Sequence, residues 1–183
     1  METATDKKWF AIRVTYNREM KVKHALDARH IENFLPMKYR IVTRGERRIK
    51  EKVPAIHNLI FIYIERNKLQ ELKDTTELPI RYIMDRETNQ PIVIPENQMK
   101  SFIAVSGTLN EQLIYLEPDL NKLKKGDRVR IVGGVFEGAE GYFIRLKGDR
   151  RVVVCVRGIA AVATAFIHPA LVEKINSDPE AYD

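Results

Sequence analysis

The sequence lacks the features that mark secreted and membrane-spanning proteins. Its 183 residues include one cysteine, Cys155, so no disulfide can form within the chain, and the apolar run 152–156 around the thiol predicts that it is buried. No stretch approaches the roughly 18 apolar residues of a membrane-spanning helix, and the N-terminal residues lack the apolar core of a signal peptide. These absences predict a cytoplasmic protein.

Patterns for metal binding and catalysis are missing as well. The four histidines are scattered, and neither His-Glu-x-x-His nor Cys-x-x-Cys spacing occurs, so we predict no metal and no cofactor. The glycines of segment 133–138 do not form a phosphate-binding loop, because Ala139 stands where such a loop needs lysine. Cys155 has no electropositive surroundings that would activate it as a nucleophile. The sequence therefore predicts a protein that is not an enzyme.

Positive charge is abundant, and most of its excess lies in one segment. The formal net charge of the chain is +6, and segment 38–52 holds seven basic residues against two glutamates, a local net charge of +5. The basic residues are Lys38, Arg40, Arg44, Arg47, Arg48, Lys50 and Lys52. Such a run is usually a solvated loop, but it also suits contact with phosphates, and both interpretations stay open here.

The N-terminal half alternates strand and helix patterns. Segments 9–14, 34–39, 59–64 and 80–84 are rich in β-formers, and 59–64 is apolar at every position, as in a central strand covered on both faces. Helices are predicted after Asn17, around Leu69 and Leu72, and from Pro95. The basic segment, between two strands, is predicted to be a hairpin-like arm. This order predicts an α+β domain of ferredoxin-like fold over residues 1–105.

A change in the sequence pattern after residue 105 predicts a second domain. Residues 106–121 show no sustained periodicity and are interpreted as a linker. Short β-rich runs at 128–132, 141–146, 151–156 and 162–167, separated by glycine turns, predict a small β-barrel over residues 122–176. The last residues, 177–183, are predicted to be a flexible tail.

Two segments resemble motifs of one family. Lys125-Gly-Asp-Arg-Val-Arg-Ile-Val132 with Gly134-Val-Phe-Glu-Gly138 resembles the KOW motif of an SH3-like β-barrel, and Lys7-Lys-Trp-Phe-Ala-Ile12 with Pro36-Met37 resembles the NusG N-terminal (NGN) domain. Together they resemble the NusG family of transcription elongation and antitermination factors. Residues 54–62 and 134–138 are similar to those of the specialised RfaH-like and Bacteroides UpxY-like antiterminators, although His57-Asn58-Leu59 replaces the Pro-Gly-Tyr of general members.

The resemblance implies a monomeric, operon-specific factor that binds the clamp region of RNA polymerase through its NGN domain and suppresses pausing or termination. Its KOW domain would recruit a second partner, either Rho or a small-subunit ribosomal protein. The alternative interpretation is a ribosome-associated RNA-binding KOW protein, which the basic arm suits equally well.

The same resemblance implies three sets of site residues. The polymerase-binding set is Trp9, Ile56, Leu59 and Phe61, of which Trp9 and Phe61 also suit simple core packing. The set for upstream or non-template DNA is Lys21, Lys23, Arg44, Arg47, Arg48 and Lys50. The KOW partner-binding set is Phe136, which also suits a plug of the barrel, and Ile159, which equally suits a cap of the barrel.

Overall fold

The structure of the chain is a computed structural model that describes residues 6–117 and 125–176. The predicted tail and the last residues of the predicted linker lie outside the described residues. The chain divides into two compact units. The first consists of Met1–Pro36 and Ile56–Glu96, and the second of Met37–Ala55 and Asn97–Asp183.

The first unit is built on an antiparallel sheet with its most apolar strands at the centre. Strand β1 (Lys7–Val14) pairs with β5 (Leu59–Glu65) on one side and with β6 (Ile80–Tyr82) and β7 (Val93–Ile94) on the other, and β2 (Asn33–Phe34) lies beyond β5. Successive side chains of a strand point to opposite faces, and Ile60, Phe61 and Ile62 are all fully buried. The prediction of a central strand at 59–64 is confirmed.

Two helices of this unit bury one stripe each. In α1 (Glu19–Asp27) the buried apolar residues are Val22 and Leu26, and in α2 (Arg66–Thr75) they are Leu69 and Leu72. The helix predicted after Asn17 begins at Glu19, and Arg18, which holds the N-cap position, makes no side-chain capping bond. Instead, Glu19 accepts a hydrogen bond from the Asn58 N–H at 2.6 Å, which ties the start of α1 to the loop before β5.

The basic segment forms the predicted arm. Strands β3 (Met37–Arg44) and β4 (Arg47–Pro54) pair as a separate two-stranded hairpin. Gly45, with φ of 62°, occupies the first position of the two-residue turn, where left-handed backbone favours glycine. The predicted strand 34–39 is divided between β2 and β3, because Pro36 lacks the N–H that a ladder needs.

The second unit also holds α3 (Glu96–Ser106) from Asn97 onward, and a six-stranded antiparallel sheet. In chain order its strands are β8 (Ile114–Leu116), β9 (Asp127–Ile131), β10 (Glu140–Leu146), β11 (Asp149–Val156), β12 (Ala160–Ala163) and β13 (Val172–Lys174), with a 3-10 helix at Pro169–Leu171. Their order across the sheet is β13-β9-β10-β11-β12-β8. The sheet-rich C-terminal region agrees with the predicted fold class.

The core of this sheet contains Tyr142, Val153, Cys155, Ala161 and Ala163. Cys155 is buried, as predicted. Strand β8 pairs with β12 from within the segment interpreted as a linker, so part of that segment is sheet. The domain boundaries at 105 and 121 stay a prediction.

Candidate protein and nucleic-acid interfaces

Three of the four residues predicted to bind polymerase lie on one face of the first unit's sheet. The register of β1 and β5 pairs Trp9 with Tyr63, Ala11 with Phe61, and Arg13 with Leu59. Paired residues share a face, and so do residues two apart along a strand, which puts Trp9, Phe61 and Leu59 together.

These three side chains are buried within the chain. The side chain of Leu59 is 4% exposed, Phe61 is fully buried, and the Trp9 ring packs against Tyr63 with the ring centroids 5.2 Å apart. Leu59 was expected to be an exposed contact, but its place in a strand paired by β1 makes it part of the core. Of the four residues, only Ile56, in the loop before β5, is half-buried rather than buried.

The hairpin register divides the basic residues of the arm between two faces. One face, here called the tyrosine face, carries Tyr39, Ile41, Arg48, Lys50 and Lys52. The other, the glutamate face, carries Lys38, Arg40, Arg44, Arg47 and Glu51. The four arm residues predicted to bind nucleic acid therefore separate into two pairs, Arg48 with Lys50 and Arg44 with Arg47.

On each face of the arm one acid offsets part of the positive charge. On the glutamate face, Glu51 lies 3.2 Å from Arg40 and 3.6 Å from Arg44, so one acid offsets two bases. On the tyrosine face, Lys50 forms an ion pair with Glu111 and its Nζ lies 4.4 Å from the centre of the Tyr39 ring.

The tyrosine face also carries apolar surface that sequence reasoning missed. The side chain of Ile41 is 70% exposed and Tyr39 is also exposed. The alternation of Tyr39 and Ile41 with Lys38 and Arg40 was the available signal, because alternate residues of a strand share a face. An exposed aromatic ring among bases suits stacking on a nucleotide base beside phosphate contacts.

The two lysines predicted on α1 have different surroundings. Lys23 donates hydrogen bonds to Asp27 and Asn33, and the Asn33 amide donates to Asp27 at 2.8 Å. The hydrogen bond from Asn33, followed by that from Lys23, holds the pKa of Asp27 below its usual value. The charge of Lys23 is thus locally compensated. Lys21 is exposed and makes no ion pair within the described part of the chain.

The residues predicted to bind a KOW partner are less exposed than expected. Phe136 is 3% exposed, which agrees with its alternative role as a core plug. Ile159 is half-buried, and its loop is engaged by α3, since the Arg157 N–H donates to Gln98 Oε1 at 2.8 Å.

The exposed apolar surface of the C-terminal sheet lies elsewhere and was missed by sequence reasoning. Val135 is 72% exposed, and Val132 and Leu171, joined by a backbone hydrogen bond of 2.9 Å, are also exposed. The available signal for this exposed surface was Val135, a branched apolar residue in the glycine turn 133–138, where side chains have little to pack against.

Residues 6–117 and 125–176 contain neither a grouping of side chains for a metal ion nor a helix suited to a membrane. In these ranges no three His, Cys, Asp or Glu side chains are close enough together to hold a metal. None of the helices described there has the length and apolar character needed to cross a membrane.

Comparison with known proteins places the chain among transcription factors. Residues 7–103 match the family model described as NusG, transcription termination factor nusG. Among matching solved structures is one on domain interaction in Thermotoga maritima NusG, with 17% sequence identity, coverage of 93% of this chain and 98% of that chain, and a TM-score of 0.47. No curated protein matches the chain significantly.

Proposed function

The chain belongs to the NusG family of transcription factors, and we propose that it is a cytoplasmic, monomeric elongation factor that binds RNA polymerase and suppresses pausing or termination. The observation that carries this proposal is the family match over residues 7–103, which include the first unit's sheet and the basic arm. Factors of this family bind RNA polymerase and are not enzymes. We extend that partner, and the absence of catalysis, to this chain.

Within this proposal Ile56 supplies apolar contact with the polymerase clamp. It is the one member of the predicted set that is not buried. It is the first residue of segment Ile56–Glu96 of the first unit, three positions before β5. Trp9, Leu59 and Phe61 support the surface from within the core, because their side chains pack inside the chain. The arm and Lys21 supply phosphate contacts to upstream or non-template DNA.

The operon-specific role rests on residues 54–62 and 134–138, which resemble those of specialised antiterminators. In the proposed domain division, an NGN domain of residues 1–105 is followed by a KOW domain of residues 122–176. The KOW domain recruits Rho or a small-subunit ribosomal protein. Exposed Val135, next to Phe136 in the chain, adds apolar surface to the proposed contact set of Phe136 and Ile159.

The first test compares two carboxylate substitutions in pull-downs with polymerase core. Ile56→Asp should keep a native circular dichroism spectrum and weaken binding, because a carboxylate desolvated in an apolar contact costs about 2 kcal/mol, roughly thirty-fold in affinity. Leu59→Asp should instead unfold the first unit, because an unpaired carboxylate would replace a buried core side chain.

Met84→Asp is the matched control, since Met84 is an exposed apolar residue of the same unit. It should fold and bind as the wild type does. Wild-type affinity in a folded Ile56→Asp variant would contradict the assigned contact. Co-purification of the wild-type chain with ribosomal subunits and not with polymerase would contradict the proposed function and favour the ribosome-associated alternative.

A further inference from the structure

The end of the β10–β11 hairpin in the C-terminal sheet carries a cluster of bases outside the sites discussed above. Arg145 and Arg150 are directly opposed across the two strands, and Lys147 lies in the two-residue turn between them. Like charges directly opposed across a strand pair destabilise it. We call Phe143, Arg145, Lys147 and Arg150 the hairpin patch.

The positive charge of the hairpin patch is not compensated by nearby acids. Within residues 6–117 and 125–176, Arg145, Lys147 and Arg150 make no ion pair, and all three are exposed. The two acids of the same hairpin are engaged elsewhere: Asp149 is bound to Arg151 at 3.1 Å, and Glu140 is bound to Arg128 and Arg130. Across the sheet, Asp127 is opposite Phe143 and is bound to Lys174 at 3.0 Å. The positive charges of the patch are therefore available to an anionic ligand.

An aromatic ring lies beside these charges. Phe143 is half-buried, and the Arg150 guanidinium lies over its ring, 5.7 Å from the centroid. Phe143, Ile144, Arg145 and Arg150 line a shallow open pocket of about 360 Å³. Register and alternation put Phe143, Arg145 and Arg150 on the same face, so ring and charges face a ligand together.

We propose that the hairpin patch binds single-stranded nucleic acid. Arg145, Lys147 and Arg150 contact successive phosphates, and a base enters the pocket to stack on Phe143 and the Arg150 guanidinium. Stacking needs an unpaired base whose face is free, which a duplex does not offer. An acidic protein segment would satisfy the charges but would not use the aromatic ring. The hairpin patch shares no residue with the proposed polymerase contact or with the arm.

The test titrates the full chain with fluorescent ten-nucleotide oligo-U, oligo-dT and a duplex of the same length. The Arg44, Arg47, Arg48 and Lys50 to Ala variant serves as background, so that arm binding does not mask the patch. In this background Arg145→Gln/Arg150→Gln should weaken binding to single strands about ten-fold or more. It should also flatten the slope of log affinity against log salt by about 0.7 for each phosphate that is no longer neutralised.

Arg81→Gln/Arg86→Gln is the matched control, because it removes the same charge from two exposed arginines of the first unit. Phe143→Leu tests the ring, keeps apolar volume, and should lower single-strand affinity by roughly five-fold or more. The relative affinities of oligo-U and oligo-dT show which strand is preferred, and dependence on the patch for either one supports the proposal.

Three results would overturn the inference: equal affinity of the patch and control variants, an unchanged affinity of Phe143→Leu, or stronger binding of the duplex than of either single strand. Binding of the patch variant to polymerase core is measured in parallel and should match wild type. Failure of the wild-type chain to bind polymerase would count against the proposed function alone, because the oligonucleotide titration contains no polymerase.

Discussion

At the scale of single residues, apolar side chains that are close together in the sequence differ in how deeply they are buried. Leu59 and Ile56 are both apolar and lie three positions apart, yet one is core and the other is half-exposed. Phe136 and Val135 are neighbours, and the larger is buried while the smaller is exposed. A partner binds only the exposed member of each pair, so the choice of residue for mutation depends on the fold.

Cys155 provides a direct probe of the C-terminal sheet. Burial raises the pKa of its thiol to about 12, so almost none is thiolate at neutral pH. The thiolate is the reactive form, so labelling by a disulfide reagent at pH 8 should be roughly a thousand-fold or more slower than for an unfolded cysteine of ordinary pKa.

The measurement is the absorbance of the released thiol in native buffer and in denaturant. A Val135→Cys/Cys155→Ala variant is the positive control, because position 135 is exposed and should label at once. Rapid labelling of the native wild-type chain would contradict the buried position of Cys155.

The Asp27 carboxylate predicts a pH dependence of stability. Its pKa is lowered in the folded chain by Asn33 and then by Lys23, so its contribution is fully present above the pKa of about 3.9 of an unfolded aspartate. The contribution is lost as pH falls through the lower, folded pKa. Wild type should therefore be more stable than Asp27→Asn at pH 7, and the difference should shrink as pH falls below about 4.

Urea unfolding at a series of pH values measures this difference. Glu77→Gln is the control, because Glu77 is exposed and makes no hydrogen bond or ion pair among the described residues. A stability gap between wild type and Asp27→Asn that persists unchanged at pH 2 would show that the Asp27 charge is not its source.

At the scale of elements, the arm shows how register distributes function. A charge count treats segment 38–52 as one basic run, whereas the hairpin has two faces of different character. The tyrosine face combines bases with exposed Tyr39 and Ile41, whereas the glutamate face combines bases with Glu51 and exposed Ile49. A nucleic acid lying against one face meets only half of the predicted residues.

Two double substitutions on the arm test this division. Arg48→Ala/Lys50→Ala and Arg44→Ala/Arg47→Ala each remove two positive charges, and both should leave the fold intact because the side chains are exposed. The tyrosine-face variant should flatten the slope of log affinity against log salt by about 0.7 to 0.9 for each phosphate that the chain no longer neutralises. The glutamate-face variant should change the slope less, because the tyrosine face offers the Tyr39 ring for stacking beside its bases. Compensation does not distinguish the two variants, since Glu111 offsets Lys50 and Glu51 offsets Arg44.

Titration of the same elongation complex at several salt concentrations gives both slopes, with polymerase core lacking DNA as the control for protein contact. Joint replacement of all four residues should produce the largest change. If all slopes equal that of wild type, the arm is a solvated hairpin and its charge serves no nucleic-acid contact.

At the scale of the whole molecule, the chain order of segments does not match their grouping in space. The arm interrupts the first unit in sequence but groups with the second, and β8 completes a sheet whose next strand begins at Asp127. Strand β8 is expected to stabilise the sheet, because it pairs with an edge of β12 that would otherwise be free. Gln112, close to β8 in sequence, also supplies a carbonyl that accepts from buried Arg151 at 2.9 Å.

Two fragments test the contribution of this segment. Residues 121–176 and 107–176 should both give β-rich circular dichroism spectra, because the runs of β9, β10 and β11 favour strand. The longer fragment should be more stable by about 1 to 3 kcal/mol, because the shorter one leaves the Arg151 guanidinium without one of its partners. Thermal unfolding measures the difference, and equal midpoints or a mostly helical spectrum would contradict the assignment.

Local sequence patterns determined much of this protein. The apolar run 59–64 required a strand covered on both faces, because no other arrangement hides every side chain of a strand. The basic segment between two strands became a hairpin, and the valines around Cys155 placed the thiol in the core. These features depend on neighbours within a few residues, so a single sequence contains the information.

Only the tertiary structure decided which of these side chains a partner can reach. Burial of Leu59 depends on β1, which is distant from it in sequence. The pairing of β8 with β12 joins a short run without periodicity to a distant strand. Likewise, the opposition of Arg145 and Arg150 and the division of the arm into faces follow from strand register. Register is fixed by packing and turn geometry between segments, and composition alone carries no measure of either.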